Sequence, residues 1–290
     1  MTGLSEPPAL GTPMLPSGTF EGKVVVVTGG GTGLGKAIGT EFARLGATVV
    51  VASRDPEHRE KGVAAMNAAG GKGFGIAVDV RSPEAIAAAF DEIEKECGPI
   101  DVLVNNAAGN FPVLAEKMSP NAWRAVTDIV LDGTFFCSTE LARRAIASGR
   151  EAAILNIGAT YSWTGGPGTA HSAAAKAGVT NMTMSLAVEW APYGIRVNCL
   201  APGLFPHEDL PSVLRDKNNR SEEQDAARVP AGRVGRPHEL GWIATYMCSP
   251  FASYLSGHTV VLDGANWLRR GLRMPDFVPV HEQFNFEKDS

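Results

Sequence analysis

The chain predicts an α/β fold built on one doubly wound parallel sheet of about seven strands. Three observations carry that expectation. From residue 23 onward, short β-branched runs alternate with longer helical patterns, the signature of right-handed β–α–β crossovers. The strand candidates are apolar throughout rather than alternating, as burial of both faces requires. A glycine cluster, T-G-G-G-T-G-L-G over Thr28–Gly35, follows the first strand directly and opens the first helix. In that context a Gly-rich turn reads as a phosphate loop, and the fold as a single-domain Rossmann type.

The elements follow in order. Val24–Thr28 is the first strand and Leu34–Leu45 the helix leaving the glycine turn. Thr48–Ala52 is a strand, Glu57–Ala69 a helix and Gly73–Val78 a strand. Ser82 as N-cap and Pro83 at the first helical position open Pro83–Glu96. Ile100–Val104 is a strand, and Ser119–Ala147 a long helix with room for a bend. Ala152–Ile157, Ile195–Leu200 and His258–Leu262 are the remaining strands, with helices at Ala170–Trp190 and Pro237–Cys248. No boundary interrupts the alternation, so the domain runs from 19 to 266. A flexible N-terminal tail (1–18, with Pro7, Pro8, Pro13 and Pro16) precedes it, and a C-terminal tail (267–290, with Phe277, Phe284 and Phe286) follows. The polar stretch Gly203–Pro230 is either a lid or a solvated insertion.

Composition narrows the class. With 44% hydrophobic and 20% charged residues in 290, the chain is globular rather than disordered. Glycine, 33 residues, exceeds the usual ~7%. A net charge of −5 argues against nucleic-acid or anionic-membrane partners. No apolar run reaches the ~18 residues of a membrane helix, and the head lacks the basic start or arginines of a targeting segment. A cytoplasmic protein is expected. Cys97, Cys137, Cys199 and Cys248 are far apart, so buried thiols are expected rather than disulfides or a metal site.

Gly29, Gly31, Thr32, Gly33 and Leu34 form the turn where backbone can approach a pyrophosphate at a helix N-terminus. The second strand ends Ala52-Ser53-Arg54. An arginine there accommodates a 2′-phosphate where an acidic residue would grip a ribose hydroxyl, which points to NADP(H). Asp55 either pairs with Arg54 or faces solvent.

The set Thr28–Gly35, Asp79-Val80, Asn105-Asn106-Ala107-Ala108-Gly109 and Pro202-Gly203 resembles the short-chain dehydrogenase/reductase superfamily over about 240 residues. The resemblance implies that Asp79 bonds the adenine amine and that Asn106 shapes the cleft floor. It also implies that Pro202, Gly203 and Phe205 pass by the nicotinamide. The catalytic pattern departs from the common one. Lys176 is present, but Ser172 stands four residues before it where Tyr is usual. Ala159 takes the usual Ser position and Val130 the usual Asn position. The Tyr-x6-Lys spacing of enoyl-thioester reductases lands on Thr169 and also fails.

A third arrangement fits. Tyr161 lies fifteen residues before Lys176, within A-T-Y-S-W-T-G-G-P-G-T-A-H-S-A-A-A-K-A-G-V. With N-N-A-A-G-N-F (105–111) and S-P-N-A-W (119–123) followed by T-D-I-V-L-D-G-T (127–134), it resembles NADPH-dependent 2,4-dienoyl-CoA reductases of unsaturated fatty-acid β-oxidation. The resemblance implies hydride addition at C5 of a dienoyl-CoA, with charge spreading to the thioester oxygen and a 3-enoyl-CoA product. Tyr161 and Asn110 are then the donors to that oxygen; such donors are worth roughly 3–4 kcal/mol each. Lys176 would bind the nicotinamide ribose, and Ser172 the ribose or the local hydrogen-bond network. The carbon proton would come from water, since no His, Asp or Glu falls among the matched positions. Phe111, Arg81 and Ser119 would contact the CoA ester, and Arg54 would serve both cofactor and CoA. His171 reads as structural; Trp163 lines an acyl channel or packs in the core. A homotetramer built on Ser119–Ala147 and Ala170–Trp190 is also implied. Two other readings stay open: a carbonyl reductase of the same superfamily with an unusual Tyr, and a degenerate NADP-binding scaffold.

Overall fold

The computed structural model describes residues 4–207, 209, 221–268 and 279–283. Seven parallel strands stand in the order β3-β2-β1-β4-β5-β6-β7. They are β1 (Val24–Thr28), β2 (Thr48–Ala52), β3 (Lys72–Ile76), β4 (Ile100–Asn105), β5 (Ala152–Ile157), β6 (Ile195–Pro202) and β7 (Thr259–Leu262). Winding reverses between β1 and β4, so the loops leaving their carboxyl ends diverge. A crevice at such a switch point is where ligands bind in open α/β sheets.

The unbroken apolar strands have the predicted cause. Val24 and Val26 feed a core with Phe90 and Leu141 on one face, while Val25 and Val27 feed a second core with Phe42 and Met247 on the other. The first face carries α3 (Pro83–Cys97), α5 (Gly133–Ser148) and α7 (Ala170–Trp190). The second carries α1 (Gly33–Arg44), α2 (Pro56–Ala68) and α9 (Pro237–Cys248).

Several boundaries sharpen. Ser82 caps α3 as expected, accepting from the Ala85 N–H. The same cap-then-proline device recurs unpredicted. Asp55 precedes Pro56 and accepts from Glu57 and His58 N–H groups, and Ser119 precedes Pro120 and accepts from Ala122. Asp55 therefore does not pair with Arg54; it faces solvent, where its carboxylate caps α2. The long helix with a bend is α4 (Pro120–Thr127) and α5 joined by a π-helical turn over Asp128–Asp132. β3 ends at Ile76 because its partner β2 ends at Ala52, the residue opposite; residues 77–79 run on into the crevice.

The proline-rich head, expected as a flexible tail, packs on the body over its described residues. The Leu4 N–H bonds the Ala231 carbonyl, Arg233 bonds the Ser5 carbonyl, and Arg236 pairs with Glu6 at 3.0 Å. Much of the Gly203–Pro230 excursion lies outside the described residues. Its later part holds α8 (Glu222–Ala226), opened by a Ser221/Gln224 capping box. Phe277, Phe284 and Phe286 of the tail also lie outside the described residues. Trp267, just past β7, stacks on Trp163 with ring centroids 5.4 Å apart. No described helix is long and apolar enough to cross a membrane.

Candidate active site

A cleft of about 1040 Å³ runs along the carboxyl ends of β1, β2, β4, β5 and β6. Gly29, Thr32, Gly33, Leu34, Arg54, Asp79, Asn106, Asn110, Tyr161, Lys176, Pro202 and Gly203 all line it. The fold thus gathers residues from seven separate segments into one crevice.

The phosphate end is built from close approach. A Cβ on Gly35 would fall 2.5 Å from the Gly29 carbonyl oxygen and 2.4 Å from Asn106 Nδ2. Asn106 donates to the carbonyls of Thr28 and Gly29, bracing the turn from β4. Gly29 and Gly33 have φ of +64° and +50°, a region L-side chains rarely adopt. The cradle already holds an anion, because Asp209 Oδ2 accepts from the Gly33 N–H at 2.7 Å and meets Lys36 Nζ at 3.3 Å. A carboxylate stands there at the N-terminus of α1, where dinucleotide folds hold a phosphate. The residues therefore fit a dinucleotide.

Gly31 and Phe205 depart from expectation. Gly31 does not line the cleft; it is glycine because α2 crosses so close that a Cβ would overlap the His58 carbonyl. Phe205 is buried in the second core with its ring against Gly235, so it is turned away from the nicotinamide end.

At the end of the cleft beyond β2 and β3, Arg81 forks onto Asp79 through Nε and Nη2, with a shortest contact of 2.6 Å; Arg54 Nη1 lies 3.6 Å from the same carboxylate. The Arg81 hydrogen bonds hold the Asp79 carboxyl down to about 2. Arg81 itself opens onto a separate groove with Arg124, Asp128, Asp132 and Phe136. Ser53, His58 and Lys61 line the cleft beside Arg54, unanticipated from sequence. Placing the start of α2 at the end of β2 would have brought them there.

The catalytic end joins β5 to α7. Tyr161 begins the short helix α6 (Tyr161–Thr164), and its hydroxyl is 3.0 Å from Ser172 Oγ. Burial pushes the phenol up, which keeps it protonated and able to donate at neutral pH; the Ser172 hydroxyl opposes that shift. Lys176 is buried, donates to the Ile157 carbonyl, and is lowered by desolvation to about 8. Asn110 Oδ1 is buried with no hydrogen-bond partner among the described residues, so that atom is not committed to holding the fold.

Phe111 lies outside the cleft lining. It packs against Val126, Val130 and Ala175, so Val130 in the usual Asn position serves an apolar wall. Ser119 spends its hydroxyl capping α4. A buried polar chain that sequence did not reveal fixes this half. Asn105 Nδ2 donates to Ser138 Oγ and Asn156 Oδ1, and Asn156 Nδ2 donates to Thr183 Oγ1. It ties the strand before Asn110 to the helix that carries Lys176.

A parallel sheet with a glycine cradle at its switch point, in a cleft also lined by a buried lysine and a half-buried tyrosine, defines a nicotinamide-type oxidoreductase. The chain belongs to the short-chain dehydrogenase/reductase family. The family model described as enoyl-(acyl carrier protein) reductase matches residues 29–265. A Bacillus subtilis protein named "Probable 2,4-dienoyl-CoA reductase [(2E)-enoyl-CoA-producing]" is 43% identical, covering 86% of this chain and 98% of its own. A Rattus norvegicus protein named "Peroxisomal 2,4-dienoyl-CoA reductase [(3E)-enoyl-CoA-producing]" is 40% identical over 86% and 85%. The crystal structure of a short chain dehydrogenase from Bacillus anthracis superposes with a TM-score of 0.78 at 41% identity, covering 86% of this chain and 98% of that one.

Proposed function

We propose that the chain reduces 2,4-dienoyl-CoA thioesters with NADPH, giving the 3-enoyl-CoA. The observation that carries this reading is the displaced tyrosine. Tyr161, not residue 172, supplies the phenol, 3.0 Å from Ser172, and it shares the cleft with Lys176 and Asn110. That pair suits a thioester oxygen that gathers charge, rather than the alkoxide of a simple ketone. Names of relatives that act on dienoyl-CoA support the same substrate class.

NADPH, when bound, supplies the hydride. Gly29–Gly35 would hold its pyrophosphate, Arg54 its 2′-phosphate, and Lys176 its nicotinamide ribose; Asp79 and Asn106 would line the adenine side and floor. Tyr161 and Asn110 donate to the thioester oxygen and stabilise the dienolate. Ser172 orients the Tyr161 hydroxyl. Protonation of the dienolate at C2 leaves the 3,4 double bond, whereas protonation at C4 leaves the 2,3 bond. No acidic side chain or imidazole stands among the catalytic residues named above, which supports water as the proton source; a 3-enoyl product requires that proton at C2. The relatives' names divide on this point, so the product must be identified.

For CoA, Arg54, which lines the cleft, is the contact we favour; Phe111 would reach it only from the apolar wall where it packs. Arg81 would have to share its guanidinium with Asp79, and Ser119 its hydroxyl with the α4 cap. Exposed apolar residues on α4, α5 and α7 (Trp123, Phe135, Ile146, Met184, Val188) fit a homotetramer. Four free thiols fit a reducing compartment such as the cytoplasm.

The test follows NADPH oxidation with short and long 2,4-dienoyl-CoA esters, with a ketone as comparison and NMR of the product. Dienoyl-specific turnover to a 3-enoyl ester is expected. Turnover of the ketone alone would replace this reading with a carbonyl reductase.

A further inference from the structure

His171 is buried with 0% of its surface exposed, and the mechanism above gives it no task. Its surroundings do. The N-cap of α7, Thr169, provides no side-chain cap; its hydroxyl is turned to the Gly166 carbonyl. His171 Nδ1 fills that role by accepting from the Ser172 N–H at 2.8 Å. The other side of the ring packs edge-to-face on Phe111, with centroids 4.9 Å apart at 79°. Nε2 is buried and has no hydrogen-bond partner among the described residues. An accepting Nδ1 leaves the proton on Nε2, so the ring is the neutral tautomer. Burial, which holds this imidazole below its usual range, agrees with that.

One imidazole thus touches both arms of the site. Ser172, through its hydroxyl, meets Tyr161 at 3.0 Å. Phe111 directly follows Asn110, and the same loop is pinned to the segment before α7 by the Val113 N–H to the Gly168 carbonyl at 2.8 Å.

We propose that His171 is a positioning residue that sets the Tyr161–Ser172 pair and the Asn110–Phe111 loop in register, so that the two donors converge on one oxygen. The proposal rests on the dienoyl-CoA reading for its kinetic arm only.

Two substitutions separate the two contacts. His171→Phe keeps a ring against Phe111 but removes the acceptor for the Ser172 N–H. His171→Asn keeps an acceptor, Oδ1, close to the Nδ1 position but removes the ring. In His171→Phe, kcat should fall about tenfold with KM for the dienoyl-CoA within about twofold; in His171→Asn, KM should rise about fivefold with kcat nearly unchanged. A residue that merely fills the core would lower the melting temperature in both variants without this split. If one variant does not fold, the other decides by the same criterion.

A second readout needs no turnover. The Tyr161 phenol, followed by alkaline absorbance titration with Tyr161→Phe as the blank, should ionise at higher pH in His171→Phe and unchanged in His171→Asn. An inactive wild type would overturn the functional reading and leave His171 to be judged by the phenol. Wild-type kinetics and phenol titration in both variants, or equal loss of kcat and KM effects in both, would overturn the assignment.

Discussion

The two ends of the cleft achieve function by different means. At the end we assign to the phosphates, backbone would do the binding, and packing enforces its close approach. Gly35 tolerates no Cβ because Gly29 and Asn106 are already there, and Gly31 tolerates none because α2 crosses it. At the proposed catalytic end, Lys176 is buried and Tyr161 half-buried, and their protonation is displaced: Tyr161 upward and Lys176 downward. The first end changes only if the fold changes. The second can be rewritten on an unchanged fold. Ser172, Ala159 and Val130 fill the usual Tyr, Ser and Asn positions, yet the sheet and α7 remain as predicted. In this chain the sheet and α7 therefore stand independently of which side chains occupy those three positions.

Substitutions can sharpen this contrast, beginning with the largest effect. Asn110→Ala should lower kcat roughly a hundredfold while leaving the NADPH dissociation constant unchanged by fluorescence titration. Weakened cofactor binding of similar size would mean the two ends are not separable. Arg54→Asp acts at the other end. It should shift the ratio of kcat/KM for NADPH over NADH by on the order of tenfold to a hundredfold, with little change in kcat for the preferred cofactor. No shift would hand the 2′-phosphate to Lys61 or His58, which line the same stretch. Asp209→Asn should have the smallest effect and the opposite sign. Removing the charge that sits on the Gly33 N–H should tighten NADPH binding a few-fold by calorimetry. Unchanged or weaker binding would mean that this carboxylate does not compete with the phosphates.

The legible and illegible parts divide along the same line. The strands and the glycine cradle follow from local signals: apolar runs, a glycine turn and caps such as Ser82. Tyr161 was legible through its spacing to Lys176. Asp209 on Gly33 was not, because the two lie 176 residues apart and only the fold brings them together. The Asn105–Asn156–Thr183 chain was hidden for the same reason. Phe205 was misplaced because its position along the chain after β6 says nothing about which way the ring turns. His171 was read as structural because a histidine at the start of a helix gives no sign that its ring spans two loops.

In the mechanism we propose, Tyr161 donates to an oxygen that gains charge only during reaction. The most direct test is Tyr161→Phe, with single-turnover reduction of a 2,4-dienoyl-CoA and NADPH affinity measured on the same preparation. A fall in the chemical step of roughly a hundredfold to a thousandfold, with cofactor affinity intact, is the predicted result. A chemical step as fast as that of the wild type would contradict it.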